Sequence, residues 1–269
     1  PPRPLDAARR PEPNLQILMP AVKPLVYLVL GAAGSGRREV LVDLIAGGLE
    51  PADQPLVLLS DHEAADPADK RLPNVQRWTW RDGAIVAPAL GTASHVFLVT
   101  DGRRNPVDQI EAFKPWLEAN GAELARVLVV VHCQLAEKNP ALVAWYEACV
   151  HFADVVLLNH REGVPNKWLS DFQNRFKDQF YPCLIEFVKA GRVKNPPLVL
   201  DPRARRMSHY FDEEVDWVRA DGGDDEEEIA EGEEEVELTP EEDPYLERDA
   251  ANRRRKIIPD IAKYLGEGS

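Results

Sequence analysis

Short apolar runs alternate with amphipathic stretches between about residue 25 and residue 200. Residues 25–30 (LVYLVL) are a continuous apolar run that stops at Gly31. Such a run, without polar alternation, predicts a parallel strand buried on both faces. Residues 56–59, 95–100 (HVFLVT), 126–132 (RVLVVVH), 154–158 (DVVLL) and 183–188 predict further strands. Helical spacing fills the gaps. Residues 37–46 place Val40, Leu41, Leu44 and Ile45 on one face, and residues 107–120 do the same with Ile110, Phe113 and Leu117. Pro106 suits the first turn of that second helix. Residues 140–152 and 167–177 complete the set. Strand–helix alternation of this kind predicts an α/β fold, a mostly parallel sheet with helices on both faces. Trp78 and Trp80 alternate as in an edge hairpin and read as core packing.

Outside residues 25–200 the pattern lapses. Residues 1–24 read as an extended, proline-rich arm, and residues 1–13 lack the apolar stretch of a signal peptide. Residues 201–243 read as an acidic flexible segment and 244–269 as a basic–apolar terminal segment. Within the latter, residues 252–265 predict a short helix interrupted near Pro259, with Ile257, Ile258, Ile261, Tyr264 and Leu265 as a face for a protein partner.

Charge changes this picture in one place. The net charge of the 269 residues is -14. Between Asp212 and Asp243 lie 18 acids against one base, Arg219, while the rest of the chain holds 28 acids and 31 bases. One segment therefore sets the acidity. General nucleic-acid binding, which needs a basic face, is not expected. No apolar run is long enough to span a membrane. Three scattered cysteines, Cys133, Cys149 and Cys183, predict neither a disulfide framework nor a zinc knuckle, and point to a reducing, cytoplasmic location.

The candidate chemistry begins where the first strand ends. Gly31-Ala-Ala-Gly34-Ser35-Gly36-Arg37-Arg38 matches the spacing of a phosphate loop, G-x-x-x-x-G-K-[ST], between strand and helix. Glycines let backbone N–H groups curl round a phosphate, and the helix N-terminus adds its dipole. The last two positions depart from the motif. Arg37 offers a planar fork in place of the lysine, and Arg38 puts a cation where a hydroxyl would hold Mg²⁺.

With three further segments, the loop resembles the CobW-type metallochaperone GTPases, a branch of the P-loop NTPases. Gly36-Arg-Arg-Glu-Val-Leu41 is similar to the family's Gly-Lys-Thr-Thr-Leu-Leu. Asp82-Gly-Ala-Ile-Val-Ala87 is similar to its Asn-Gly-Cys-x-Cys-Cys metal motif, with Ala84, Val86 and Ala87 in place of the thiols. Residues 98–106 resemble its Ile-Glu-Thr-Ser-Gly-x-x-x-Pro: Thr100, Gly102 and Pro106 match, and Val99 replaces the acid. Residues 152–162 resemble its guanine-reading loop, with Asn159 kept, His160 for lysine and Glu162 for aspartate. The resemblance spans about residues 25–193. It implies a P-loop NTPase-like domain over residues 25–200, with Gly31, Gly34, Ser35, Gly36, Arg37, Arg38, Asn159 and Glu162 as candidate nucleotide-binding residues. GTP or another phosphate ligand is the implied cofactor. The missing hydroxyl and acid leave only Asp101 or Asp61 to help hold Mg²⁺, and the missing thiols leave no Zn²⁺ site.

Arg103 and Arg104, with Arg37 and Arg38, form a candidate anion cluster that replaces the metal or receives the acidic segment as a plug. His132, Cys133, His160 and Glu162 stand at strand ends that face the ligand crevice of an open α/β sheet, as a small site or as rim residues of a degenerate pocket. Three functions remain open on the sequence. The favoured one is a non-catalytic pseudo-GTPase, a binding or scaffold module with residual phosphate affinity, no catalytic residue of its own, and a protein partner reached through the acidic or terminal segment. The second is an active Mg-dependent nucleotide (GTP) hydrolase in metal-cofactor delivery. The third is a structural interaction protein that works through its tail.

Overall fold

A computed structural model describes residues 23–212 and 243–266. The strands form one nine-stranded sheet in the order β4-β3-β2-β5-β1-β6-β7-β8-β9. The elements in chain order are β1 (Leu25–Gly31), α1 (Arg37–Gly48), β2 (Pro55–Ser60), β3 (Val75–Arg81), β4 (Ala84–Val86), β5 (His95–Val99), α2 (Pro106–Ala119), β6 (Glu123–His132), α3 (Cys133–Lys138), α4 (Leu142–His151), β7 (Val155–Asn159), α5 (Asn166–Lys177), β8 (Leu184–Lys189), β9 (Arg192–Val193) and α6 (Pro196–Leu200). The inner strands are parallel. Only the short edge strands β4 and β9 turn back antiparallel.

The register explains the unbroken apolar run in β1. Val26, Leu28 and Leu30 face one core, shared with Ile110 and Phe113 of α2 and Trp145 and Tyr146 of α4. Tyr27 and Val29 face a second core, shared with Val40, Leu41 and Leu44 of α1 and Leu200 of α6. A strand covered on both sides has no polar face to show. Helices lie on both faces of a mostly parallel sheet, as the alternation predicts.

Several elements depart from the sequence expectation. The paired run 75–86 is a hairpin, Thr79 opposite Val86, but its first strand also extends the parallel sheet beside β2. Trp78 is fully buried and its indole N–H donates to the Val99 carbonyl at 2.9 Å. The expected helix over residues 140–152 is preceded by the separate turn α3, capped by the His132 ring. Short α6 and a 3₁₀ turn at Pro67–Arg71 carry too few apolar positions to show periodicity.

The chain beyond residue 200 does not leave the domain at once. Asp154, fully buried before β7, accepts from the Arg205 N–H at 2.5 Å and pairs with the Arg206 guanidinium at 3.1 Å. Arg126 points inward from β6 and donates to the carbonyls of Leu198, Val199 and Arg203. The segment resumes at Asp243, whose carboxylate meets Ser208 Oγ at 2.5 Å and His151 Nε2 at 2.9 Å. Tyr245 and Ile261 are buried in the first core, and Arg254 pairs with Asp108 and Glu111 of α2. The expected terminal helix is not formed. Residues 252–265 hold a bridge residue at Arg254, paired with Arg248, and one 3₁₀ turn, Ile261–Tyr264. Ile261, Tyr264 and Leu265 of the expected partner face pack on the chain's own domain, and only Ile257 stands out, at 89% exposure. The acidic run 213–242 and the arm 1–22 lie outside the described residues.

Candidate functional site: a phosphate loop holding its own carboxylate

β1 ends at Gly31, and the chain curls through residues 32–36 into α1. Gly36 has φ of 81°, a left-handed conformation that glycine adopts without strain. A side chain there would also overlap the Asn159 amide, which donates to the Ser35 carbonyl at 2.9 Å. At Gly31 a Cβ would come within 2.6 Å of the Val130 carbonyl oxygen. These glycines permit the close approach of the loop to β6 and β7. Gly102 does the same from the opposite side, since a Cβ there would overlap the Ala33 N–H.

Two of the loop's backbone donors are engaged within the protein. The Ala33 N–H donates to the Gly102 carbonyl at 3.0 Å and the Ser35 N–H to the Ala32 carbonyl at 3.1 Å. Gly34 is exposed, whereas Ser35 is fully buried and its Oγ has no partner.

The two arginines meet one carboxylate. Arg37 donates to the Thr100 carbonyl at 2.5 Å and forms an ion pair with Glu63. Arg38 reaches the other Glu63 oxygen at 2.8 Å, the Ala64 carbonyl at 2.8 Å and Asp69 at 3.1 Å. The Gly102 N–H adds a third donor to Glu63, at 3.2 Å. Arg77 holds the same loop from β3, donating to the carbonyls of Ser60 and Glu63 and pairing with Asp69. Side-chain exposure is 3% at Arg37 and 8% at both Arg38 and Glu63. Burial by itself would raise the Glu63 carboxyl; the Arg37 charge, the Arg38 hydrogen bond and the Gly102 N–H outweigh it and hold the carboxyl below its ordinary range.

The four-arginine cluster expected from sequence is not one clamp. Arg37 and Arg38 converge on Glu63, while Arg104 pairs with Asp101 at 2.9 Å and lies over the Trp80 ring. Arg103 lines the same small cavity as the loop. Asp101, one of two acids left to hold Mg²⁺, is buried and bonded to Arg104, His62 and the Arg103 N–H. Asp61, the other, is exposed beside His62. Ala84 and Val86 lie on edge strand β4 without a metal-binding atom.

Asn159 touches the loop; Glu162 is exposed on the turn after β7, where its carbonyl accepts from Gln134. The His132 and His160 rings lie 4.4 Å apart between centroids, tilted by 32°. His132 Nδ1 accepts the Leu135 N–H at 3.2 Å, and burial, with His160 beside it, brings its pKa down to about 4. His160 Nε2 is buried and unpartnered. Cys133 is buried, its thiol pushed up to about 12 by burial, so the structure joins the two imidazoles without a reactive thiol.

Glu63 is the residue that sequence reading passes over. Its trace was the acid series Asp61, Glu63, Asp66 and Asp69 behind the second strand, with as yet no partner for Arg37 or Arg38. The cavity over the loop is about 140 Å³, lined by Ser35, Gly36, Arg37, Arg38, Glu63 and Asp66 among others. A guanidinium in place of the metal's hydroxyl and a carboxylate already seated between the arginines do not fit a magnesium nucleotide.

A glycine loop joining a central parallel strand to a helix, with β5 and its Thr100–Gly102 turn alongside, settles the architecture. The fold is P-loop NTPase-like. Among solved structures, the chain is similar to the Zn(II)-bound YjiA GTPase from E. coli, at 12% identity and a TM-score of 0.38 over 68% of this chain and 66% of that one. It is also similar to the hydrogenase maturation factor HypB from Archaeoglobus fulgidus, at 12% identity and a TM-score of 0.43 over 61% and 81%. The chain thus spans just under two thirds of the YjiA chain. No protein-family model matches the chain, and no curated protein does.

Proposed function

We propose that this chain is a non-catalytic P-loop module, a pseudo-GTPase of CobW-like type that serves as a binding or scaffold unit for a protein partner. The observation that carries this reading is the joint commitment of Arg37 and Arg38 to Glu63. Phosphoryl transfer needs a cation and a metal aimed at the transferring phosphoryl group. Here the cation at the lysine position faces a carboxylate and a carbonyl, and Asp101 is neutralised by Arg104. The partner would engage the acidic run or the terminal segment, where Ile257 stands clear of the domain.

The test is phosphate release by the purified full chain with Mg²⁺ and GTP. The expected rate equals that of buffer. Turnover that is abolished by Arg37→Ala would overturn the proposal in favour of a GTP hydrolase.

A further inference from the structure

We infer that Arg37 and Arg38 form a metal-independent anion seat which Glu63 fills in cis, and that pyrophosphate or a similar phosphate anion takes the seat when Glu63 withdraws. The inference rests on the reading of the loop as catalytically idle and adds what the idle loop binds.

Glu63 is held as an anionic ligand is held. One oxygen meets Arg37 and the Gly102 N–H, and the other meets Arg38. Guanidinium forks match carboxylate and phosphate oxygens alike. The seat lies at the N-terminus of α1, a helix of 12 residues, where the dipole favours negative charge. Ser35 Oγ gives an independent indication. It is buried in the wall of the same cavity and has no partner. Glu63 leaves that hydroxyl unpartnered. With Glu63 in place, the cavity over the loop already has room for a phosphate group.

Glu63 sits on a connecting segment, not on a strand or helix. Residues 61–66 link β2 to the 3₁₀ turn Pro67–Arg71, which carries its own capping box through Asp66 and Asp69. Asp66 lines the cavity but caps the Ala68 N–H at 2.7 Å, so it does not compete for the arginines. Withdrawal of Glu63 would leave buried Arg37 without its carboxylate and Arg38 with Asp69 alone. A buried ion without its partner is strongly unfavourable. The seat therefore calls for another anion, and the 61–66 segment works as a latch over it.

Calorimetric titration of pyrophosphate in EDTA tests the inference, using the full chain, Glu63→Gln and Glu63→Gln/Arg38→Gln. Glu63→Gln is expected to bind at least about ten-fold tighter than the unaltered chain, and the double variant to lose that gain. Equal affinity in Glu63→Gln and the unaltered chain, or a gain that survives Arg38→Gln, overturns it. Should Glu63→Gln fail to melt cooperatively, excess pyrophosphate is expected to restore a cooperative melt, and no rescue overturns it as well. GTP turnover by the unaltered chain would sink the proposed function while leaving this comparison to stand or fall by itself.

Discussion

His132 shows how much one side chain's surroundings matter. Its ring caps α3 through Nδ1 and lies against His160, and its pKa of about 4 is below the ordinary 6.5. Between those two values the unfolded chain holds a proton that the folded one does not. Stability therefore falls as pH drops from about 6.5 to 4. His132→Asn keeps a cap acceptor and removes the proton site. It is expected to flatten that fall by roughly 1–3 kcal/mol, read from urea midpoints across the window. Asp154 is the converse case, a buried carboxylate bonded to the Val127 and Arg205 N–H groups and to Arg206. Asp154→Ala leaves buried Arg206 with only the half-exposed Asp212 as counter-charge, and is expected to cost about 3 kcal/mol in the same assay. Neither environment was legible beforehand. The sequence displays His132 and His160 at two strand ends but not their contact, and Arg206 as one base in a basic run.

Among the elements, those with a strong period were legible. β1, α1, α2, β6, β7 and α5 appear within a few residues of their expected bounds, because burial on both faces makes strands uniformly apolar and helices striped. Short elements fixed by caps and tertiary contacts were not. The 3₁₀ turn at Pro67–Arg71 depends on a capping box and on Arg77, and α6 on carbonyls that receive Arg126. The basic–apolar run 252–265 has a helical stripe, yet tertiary pairing of Arg254 with α2 draws it into a bridge and a turn. The contact between the phosphate loop and the turn after β5 is tight enough to test. Gly102→Ala would drive a methyl group into the Ala33 backbone. A thermal melt is expected to show destabilisation of roughly 1–3 kcal/mol, and an unchanged melting temperature would mean that the two loops are not packed as described.

At the scale of the molecule, the net charge of -14 and the site belong to different regions. The described residues that flank the acidic run lie toward the end of the parallel strands opposite to the phosphate loop. Asp212 precedes it near Arg206, and Asp243 follows it, held by Ser208 and His151. Loss of this clasp by Asp243→Ala is expected to speed proteolytic cleavage within residues 243–266 several-fold while the sheet's hydrogen-exchange protection stays intact. Uniform loss of protection would instead show that the segment is integral to global stability. The mostly parallel sheet and the glycine loop were accessible from the strand–helix alternation and the motif spacing; the seated carboxylate was not, since it joins residues 26 apart through folding alone. The central claim is that this loop holds Glu63 in place of a nucleotide. It is tested most directly by titrating the full chain with a fluorescent GTP analogue, with and without Mg²⁺. The account predicts no saturable binding in either condition. Mg²⁺-dependent, guanine-selective binding at micromolar concentration would contradict it.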